Sequence, residues 1–358
     1  MKIISKELNI DLLSTKLLDA YLSTDSYAIF DIETTGLSPN FSSLILAGFV
    51  IVKENKATLI QYFAETPAQE KEVLEATITL LSEVSFVVTY NGRYFDMPFL
   101  NKRCQRHGLE ITDAFNLDLF ILMKYYSPLG KMLPSLSQKS LEEYAGISRL
   151  REDRIGGGES VTMYETYQTS RDKKLEESIL LHNSDDVAQL YRLMGLLKNC
   201  DLDKAFTKSG FPIDGGLITD ISLKGQDLII RGISHNPVEY IGFPSSDNPL
   251  LIYAHKSDGS FEITAACEKQ DKSIYIDLLP LINSDFINYN SIDSNIKESN
   301  VVDHNPINES EAALKRILNC SGFVNNYLIL KEDGTPKHTE MNALARFLAS
   351  KTLRDIID

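Results

Sequence analysis

The chain has 358 residues, of which 43% are hydrophobic and 24% charged, and this length points to more than one core. A formal net charge of -14 argues against indiscriminate adhesion to nucleic acid, although clustered metal-binding carboxylates would inflate that total. No apolar run reaches the ~18 residues that a membrane span needs, and Cys104, Cys200, Cys267 and Cys320 form no CxxC pair, which leaves zinc and redox motifs unsupported.

The opening stretch, MKIISKELNIDLLSTKLLDAYL, lacks an apolar signal core and is expected to form an amphipathic helical extension over residues 1–24. Scattered cysteines and the missing signal core fit a reducing cytoplasm. From 25 to 200, strand and helix patterns alternate. YAIFDIE, SLILAGFVIV and KATLIQYFAE read as strands joined by short links, hence an antiparallel meander. PAQEKEVLEATITLLSEV starts with Pro and has helical periodicity; FVVTY follows it as a further strand, expected to run parallel to one of the first three. Helices are expected around PFLNKRCQRHG, DLFILMKYY and SLSQKSLEEYAG, a break at Gly156–Gly158, and a long helix from about Arg171 to Leu197. This order defines an α/β fold with a mixed sheet flanked by helices.

Residues 201–358 read as a separate, mainly β (α+β) domain. GGLITDISLKGQDLIIRGIS and PLLIYAHKSDGSFEITAACE each hold two strands around a polar turn, and KSIYIDLLPLI and FVNNYLILKEDG are strand-like. Asn288–Glu311 is expected to be loop, and EMNALARFLASKTLRDII a terminal amphipathic helix. No motif assigns this domain a role.

Three segments carry acids that local structure explains poorly. In FDIETTGL, Asp31 and Glu33 alternate onto one strand face, roughly 7 Å apart by strand rise. They are either a charged strand end facing solvent or a pair that shares hard cations. In TYNGRYFDMPFL, Asp96 falls at a helix start, where it is either a cap or a ligand, and Asn91, Tyr94 and Phe95 beside it are either core or a surface for stacking bases. In LLHNSDDVAQLYRL, the stripe Leu175, Ile179, Leu190, Leu193, Leu197 passes through His182 and Asp186, four apart on one helix face. Asp185 is rotated about 100° away and is expected to be the more exposed of the two acids. An oxygen-rich, sulfur-poor set suits Mg²⁺ or Mn²⁺, and two such ions about 4 Å apart support phosphodiester cleavage, with His182 as a base of near-neutral pKa.

FDIETTGL, YNGRYFD and HNSDDV, in this order and spacing, resemble the three sequence blocks of the DEDD (DnaQ-like) exonucleases, which have an RNase H-like fold. LPSLSQKSLEEYAGI, REDRIGGGE and HNSDDV bring the resemblance closest to the bacterial YprB-like branch, over about residues 25–198. The resemblance implies a two-metal nuclease acting 3′ to 5′ on DNA or RNA, with a single-stranded 3′ end as partner. Asp31, Glu33, Asp96 and Asp186 match the four acidic ligands, Asp31 bridging both ions, and His182 matches the general base. The His-type subgroup spaces its base five residues before the last Asp; here the spacing is four, as in the Tyr-type subgroup, which leaves the subgroup open. Asp185 is the competing ligand. Thr34, Asn91, Tyr94, Phe95, Lys139 and Arg154 are the expected substrate contacts, and Asp118 is either a support for the site or a helix cap. Lys139, Arg151, Arg154 and Arg171 are either phosphate contacts or solvated surface charges. A structure-specific endonuclease and a non-catalytic binding module on the same fold are the alternatives. No GxxxxGK[ST] occurs, so a P-loop NTPase is unsupported.

Overall fold

The structure is a computed structural model that describes residues 1–110, 114–153, 155, 158–245, 248–281 and 314–357. Two compact units divide at Leu202/Asp203. In the first, a six-stranded mixed sheet has the order β1-β4-β3-β2-β5-β6. Its strands are β1 (Lys2–Glu7), β2 (Ser26–Thr34), β3 (Leu44–Lys53), β4 (Lys56–Phe63), β5 (Phe86–Thr89) and β6 (Phe115–Asp118). The expected meander is β2-β3-β4, and β5, reached through helix α1 (Glu70–Ser82), lies parallel to β2.

Strand alternation sorts the sheet into two cores. One face of β2 presents Ala28, Phe30 and Ile32 to Val73, Leu74, Phe99 and Leu100 of α1 and α2 (Asp96–Arg106). The opposite side of the sheet packs Ile45, Leu46 and Phe63 on Tyr164, Tyr167 and Ile179 of α6 (Glu159–Ser170) and α7 (Lys173–Leu193). β3 is therefore apolar on both faces, as a strand covered from both sides must be. In the chain, α3 (Leu119–Tyr125), α4 (Leu129–Met132) and α5 (Gln138–Tyr144) come between α2 and α6.

The amino-terminal segment departs from expectation. Lys2–Glu7 is a strand paired antiparallel with β4, Lys2 opposite Phe63 and Glu7 opposite Thr58. The unpaired edge of β4 supplies a ladder of backbone groups that a helix here would leave open. Of the apolar residues that suggested a helix, Leu18 is fully buried in a turn and Leu22 nearly so, whereas Leu12 and Leu17 are exposed. Helix α6 and strand β6 were not expected. The buried residues of α6 are Ser160, Tyr164 and Tyr167, a set without the aliphatic stripe that announces a helix. The long helix α7 ends at Leu193 and continues as a 3₁₀ turn over Met194–Asn199.

Helix α8 (Leu202–Ser209) begins at the boundary. The second unit is mainly β, with strands β7 (Phe211–Ile213), β8 (Gly216–Lys224), β9 (Asp227–Ser234), β10 (Tyr240–Gly242), β11 (Leu250–Ala254), β12 (Ser260–Ala266), β13 (Glu268–Gln270), β14 (Ser273–Asp277), β15 (Phe323–Val324), β16 (Tyr327–Glu332) and β17 (Thr335–Pro336). One antiparallel sheet has the order β10-β11-β12-β9-β8-β7, and a second has the order β13-β14-β16-β15 with β17 paired to β16. The expected hairpins are β8 (Gly216–Lys224) with β9 (Asp227–Ser234), and β11 (Leu250–Ala254) with β12 (Ser260–Ala266). The terminal helix α9 (His338–Ile357) packs on β8 and buries Leu344, Leu348 and Leu353. The loop expected at Asn288–Glu311, and Gly156 and Gly157 of the expected break, lie outside the described residues. Among the described residues no helix is long and apolar enough to cross a membrane.

Candidate active site

The site lies where the end of β2 meets the turn after β5 and the second half of α7. Because Phe30 and Ile32 point into the α1/α2 core, Asp31 and Glu33 must point to the α7 face. Asn183 of α7 donates from Nδ2 to Asp31 Oδ2 at 3.1 Å, and its own oxygen accepts from Gln61 Nε2 at 3.0 Å. Glu33 is 8% exposed and faces His182, with Nε2 3.7 Å from Oε1. A bulge between Glu33 and Thr34 ends the regular pairing with β3.

Asp96 opens α2 without acting as its cap, which is Phe95. Its Oδ1 instead accepts the Ile32 N–H at 3.2 Å, which ties α2 to β2 between the two acids of that strand. The turn that delivers Asp96 is held by Asp118. That carboxylate takes the N–H groups of Asn91 and Arg93 at 3.0 Å each, and also those of Phe120 and Ile121 at the start of α3. Asp118 is thus both helix cap and turn anchor. Asn91 adopts φ +63°, a left-handed conformation that Asn tolerates in turns.

On α7, His182 and Asp186 share a face as expected, Nε2 lying 3.5 Å from Asp186 Oδ2. The exposure of the neighbouring acids is the reverse of expectation. Asp185 is buried, 9% exposed, because residues 151–153 cover that face of the helix; its Oδ2 accepts the N–H groups of Glu152 and Asp153, each at 2.7 Å. Those bonds occupy Asp185, while Asp186 keeps an open edge, its side chain 20% exposed. Glu33, His182 and Asp186 each offer a ligand atom within 4.8 Å of the others.

Electrostatics make this cluster costly. Burial holds the Asp31 carboxyl well above the usual carboxylate range, and Asp96, Asp186 and Glu33 add repulsion. Burial pushes Glu33 up to about 7 against the pull of His182, and pushes Asp96 up to about 7. Asp186 is raised by burial although His182 and Arg151 oppose it. Burial works to lower the His182 pKa, but Asp186, Glu33 and Asp153 outweigh it, and the ring titrates above its ordinary value. A group of acids that resist ionising, with hard oxygen donors and one imidazole, fits a divalent cation.

The expected substrate and phosphate contacts differ in their surroundings. Tyr94 is 68% exposed, whereas Phe95 packs on the α1/α2 core with its ring 5.7 Å from that of Phe99. Thr34 is buried, and its hydroxyl donates to the Gly36 carbonyl at 2.9 Å. Lys139 donates to the Ile155 carbonyl at 2.8 Å, and Arg171 donates to the Glu65 carbonyl and lies over Tyr167. Arg154 lies outside the described residues. Arg151 is not a surface charge: it is 7% exposed and bonded to Glu142, Asp153 and Asp186. Sequence reasoning missed Asn183 and Gln61, Ser160, whose side chain hydrogen-bonds Glu33, and Asp153, whose Oδ2 lies 2.6 Å from His182 Nδ1. Gly48 was the one signal available for Asn183, since a glycine inside an apolar strand marks a close approach.

The site is thus a cluster of acids on the α7 side of a six-stranded mixed sheet, carried by β2, α2 and α7. Residues 28–198 match the family profile described as the RNase_H superfamily. DNA polymerase III PolC-type of Ureaplasma parvum is 30% identical over 162 residues, spanning 38% of this chain and 11% of that protein. The uncharacterized protein YprB of Bacillus subtilis is 28% identical over 167 residues, spanning 46% of this chain and 40% of that protein. Among solved structures, exonuclease I aligns at TM-score 0.34 and 12% identity, over 60% of this chain and 56% of that one. The family B DNA polymerase from Pyrobaculum calidifontis aligns at TM-score 0.40 and 17% identity, over 49% of this chain and 25% of that one. The chain spans less than half the length of these curated relatives. Residues 28–198 thus form an RNase H-like domain.

Proposed function

We propose that this chain is a divalent-cation-dependent 3′–5′ exonuclease that hydrolyses phosphodiester bonds of DNA or RNA from a single-stranded end. The observation that carries this reading is the convergence of Asp31, Glu33, Asp96 and Asp186, from three separated segments, into one buried and mutually repelling set. Asp31, Glu33 and Asp186 would hold one Mg²⁺ or Mn²⁺, and Asp31 with Asp96 a second. Bound cations of this kind lower the pKa of an attacking water and stabilise the departing oxygen. His182 takes the proton at Nε2, the nitrogen that faces Glu33 and Asp186. Tyr94, exposed and two residues before Asp96, offers an aromatic face to a terminal base.

The test uses 5′-labelled single- and double-stranded DNA and RNA with Mg²⁺ or Mn²⁺, comparing wild type with Asp31→Ala and Asp186→Ala. A ladder that shortens from the 3′ end, abolished in both variants, supports the reading. No cleavage by wild type, or equal cleavage by the variants, refutes it, and internal cuts would replace exonuclease by endonuclease. His182→Ala should lower kcat by about 10²–10⁴-fold, the usual weight of general acid–base catalysis. Its Mn²⁺ affinity should hold; collapse of that affinity would make His182 a ligand.

A further inference from the structure

We propose that Asp153 is the positioning residue of His182, and that the Arg151–Asp153 stretch is the device that fixes it. This rests on the reading above, in which His182 accepts the proton from water. Asp153 Oδ2 lies 2.6 Å from His182 Nδ1, and the carboxylate is fully buried. An ionised carboxylate only accepts, so Nδ1 carries the hydrogen and Nε2 is left bare. Nε2 is the nitrogen aimed at the acids, 3.7 Å from Glu33 and 3.5 Å from Asp186.

Asp153 is itself fixed from every side that bears on the ring. Its Oδ1 accepts the Ile155 N–H at 2.6 Å, and Arg151 Nη1 lies 3.3 Å from Oδ2. The backbone on which it sits is pinned by Asp185, which takes the Glu152 and Asp153 N–H groups. Arg151 is anchored in turn by two bonds to Glu142 of α5, at 2.7 and 3.0 Å, and reaches Asp186 Oδ1 at 2.6 Å. His182 and Asp185 are one turn of the same helix, so α7 carries both the ring and the anchor of the residue that orients it. When the proton moves from water to Nε2, Nδ1–H stays in place and the new positive charge faces Asp153. Asp153 touches no reacting atom in this arrangement; it acts through the ring.

The experiment uses the full chain, ¹⁵N-labelled at histidine and metal-free, at a pH where the rings are neutral. His182 is assigned by the signal lost in His182→Gln. Wild type should show hydrogen on Nδ1. Asp153→Asn, whose amide can donate to that nitrogen, should shift the hydrogen to Nε2, and Asp153→Glu should keep the wild-type tautomer. On a labelled oligonucleotide with Mn²⁺, Asp153→Asn should lose on the order of 10²–10⁴-fold in kcat, as expected for a wrong tautomer, with KM and Mn²⁺ affinity within about threefold. Should Asp153→Asn not fold, Asp185→Asn replaces it, with a kcat loss of about tenfold at unchanged KM. A wild-type tautomer in Asp153→Asn, or an unchanged kcat, overturns the proposal. If wild type cuts no substrate the exonuclease reading falls alone, because the tautomer still reports on Asp153.

Discussion

Asn183 of α7 sits directly over Gly48 of β3, the residue paired with Asp31 across the sheet; a Cβ on Gly48 would come within 1.8 Å of the Asn183 side-chain oxygen. The absence of that carbon lets α7 approach β3 closely enough for the Asn183 amide to reach Asp31. The fully buried amide has no free volume to retreat into, since Gln61 binds its oxygen. Gly48→Ala should therefore displace Asn183, cost about 1–3 kcal/mol as an overpacked core does, and lower nuclease kcat by loosening Asp31. Urea unfolding with an unchanged m-value, together with the cleavage assay, measures both.

The acids of the site predict a particular response to pH. The folded pKa of Asp31, Asp186, Glu33 and Asp96 lies above the unfolded value, reaching about 7 for Glu33 and Asp96. The folded chain then binds more protons than the unfolded chain between about pH 4 and 7, so this contribution falls as pH rises through that window. His182, also raised, adds a term of the same sign. The metal-free protein should melt at a higher temperature at pH 5.5 than at pH 8, and Mn²⁺ at a hundred times its Kd should add about 2.7 kcal/mol at pH 8. Asp31→Asn, measured metal-free at pH 8 by calorimetry, should raise Tm while abolishing the Mn²⁺ effect. A Tm indifferent to both pH and Mn²⁺ contradicts this account.

Alternation along β2 and the stripe along α7 made Asp31, Glu33, His182 and Asp186 legible, because strand and helix periods are local properties of the chain. Asp96 was legible only as a helix start; its bond to Ile32 depends on a strand 64 residues away. The stripe erred on Asp185, since a helical wheel built from apolar residues cannot register a polar loop laid across another face. The same limit hid Asp153, whose partner is 29 residues distant. At the amino terminus, Ile3 and Ile4 fit either period, and an edge of β4 decided the matter. In the second unit, strands and terminal helix were legible from alternation and turns, while no residue there announced a ligand.

Glu70 and Arg103 form a buried pair that couples α1 to α2, with Nε to Oε1 at 2.7 Å and Nη2 to Oε2 at 2.5 Å. Glu70 also accepts the Leu44 N–H at 2.8 Å, and Arg103 donates to the Pro39 carbonyl at 3.0 Å, so the pair fixes the middle of the β2–β3 loop and its junction with β3. Burial opposes ionisation of Glu70, but Arg103, Leu44 and His107 win and hold its pKa below the usual value. Its stabilising contribution is present above the unfolded carboxylate pKa and lost as pH falls through the folded one. Arg103→Met should cost about 3–5 kcal/mol at neutral pH by stranding a buried carboxylate, whereas Arg103→Met with Glu70→Met should recover most of it. Denaturant melts of the double-mutant cycle decide; equal losses in the single and double variants would show that packing, not the stranded charge, is responsible.

Asp118 links the fold to the site most directly, because one carboxylate satisfies the N–H groups of Asn91, Arg93, Phe120 and Ile121. The first two belong to the turn that sets Asp96 at the head of α2, and the last two start α3. Asp118→Ala removes all four acceptor contacts at a position that is 4% exposed. Water entering the vacated space would recover some of them, so the expected loss is about 3 kcal/mol, within the range for a lost cap plus unsatisfied buried donors. Asp96 would then be held only by Ile32 and its own helix, and kcat should fall while Asp31, Glu33 and Asp186 still bind Mn²⁺. Asp118→Asn keeps one oxygen but turns an NH₂ toward donors, and should lie between wild type and Ala in both stability and rate. If Asp118→Ala lowers stability by that amount and leaves kcat unchanged, Asp96 does not depend on the 91–93 turn for its position, and the Ile32 N–H alone is sufficient to hold it.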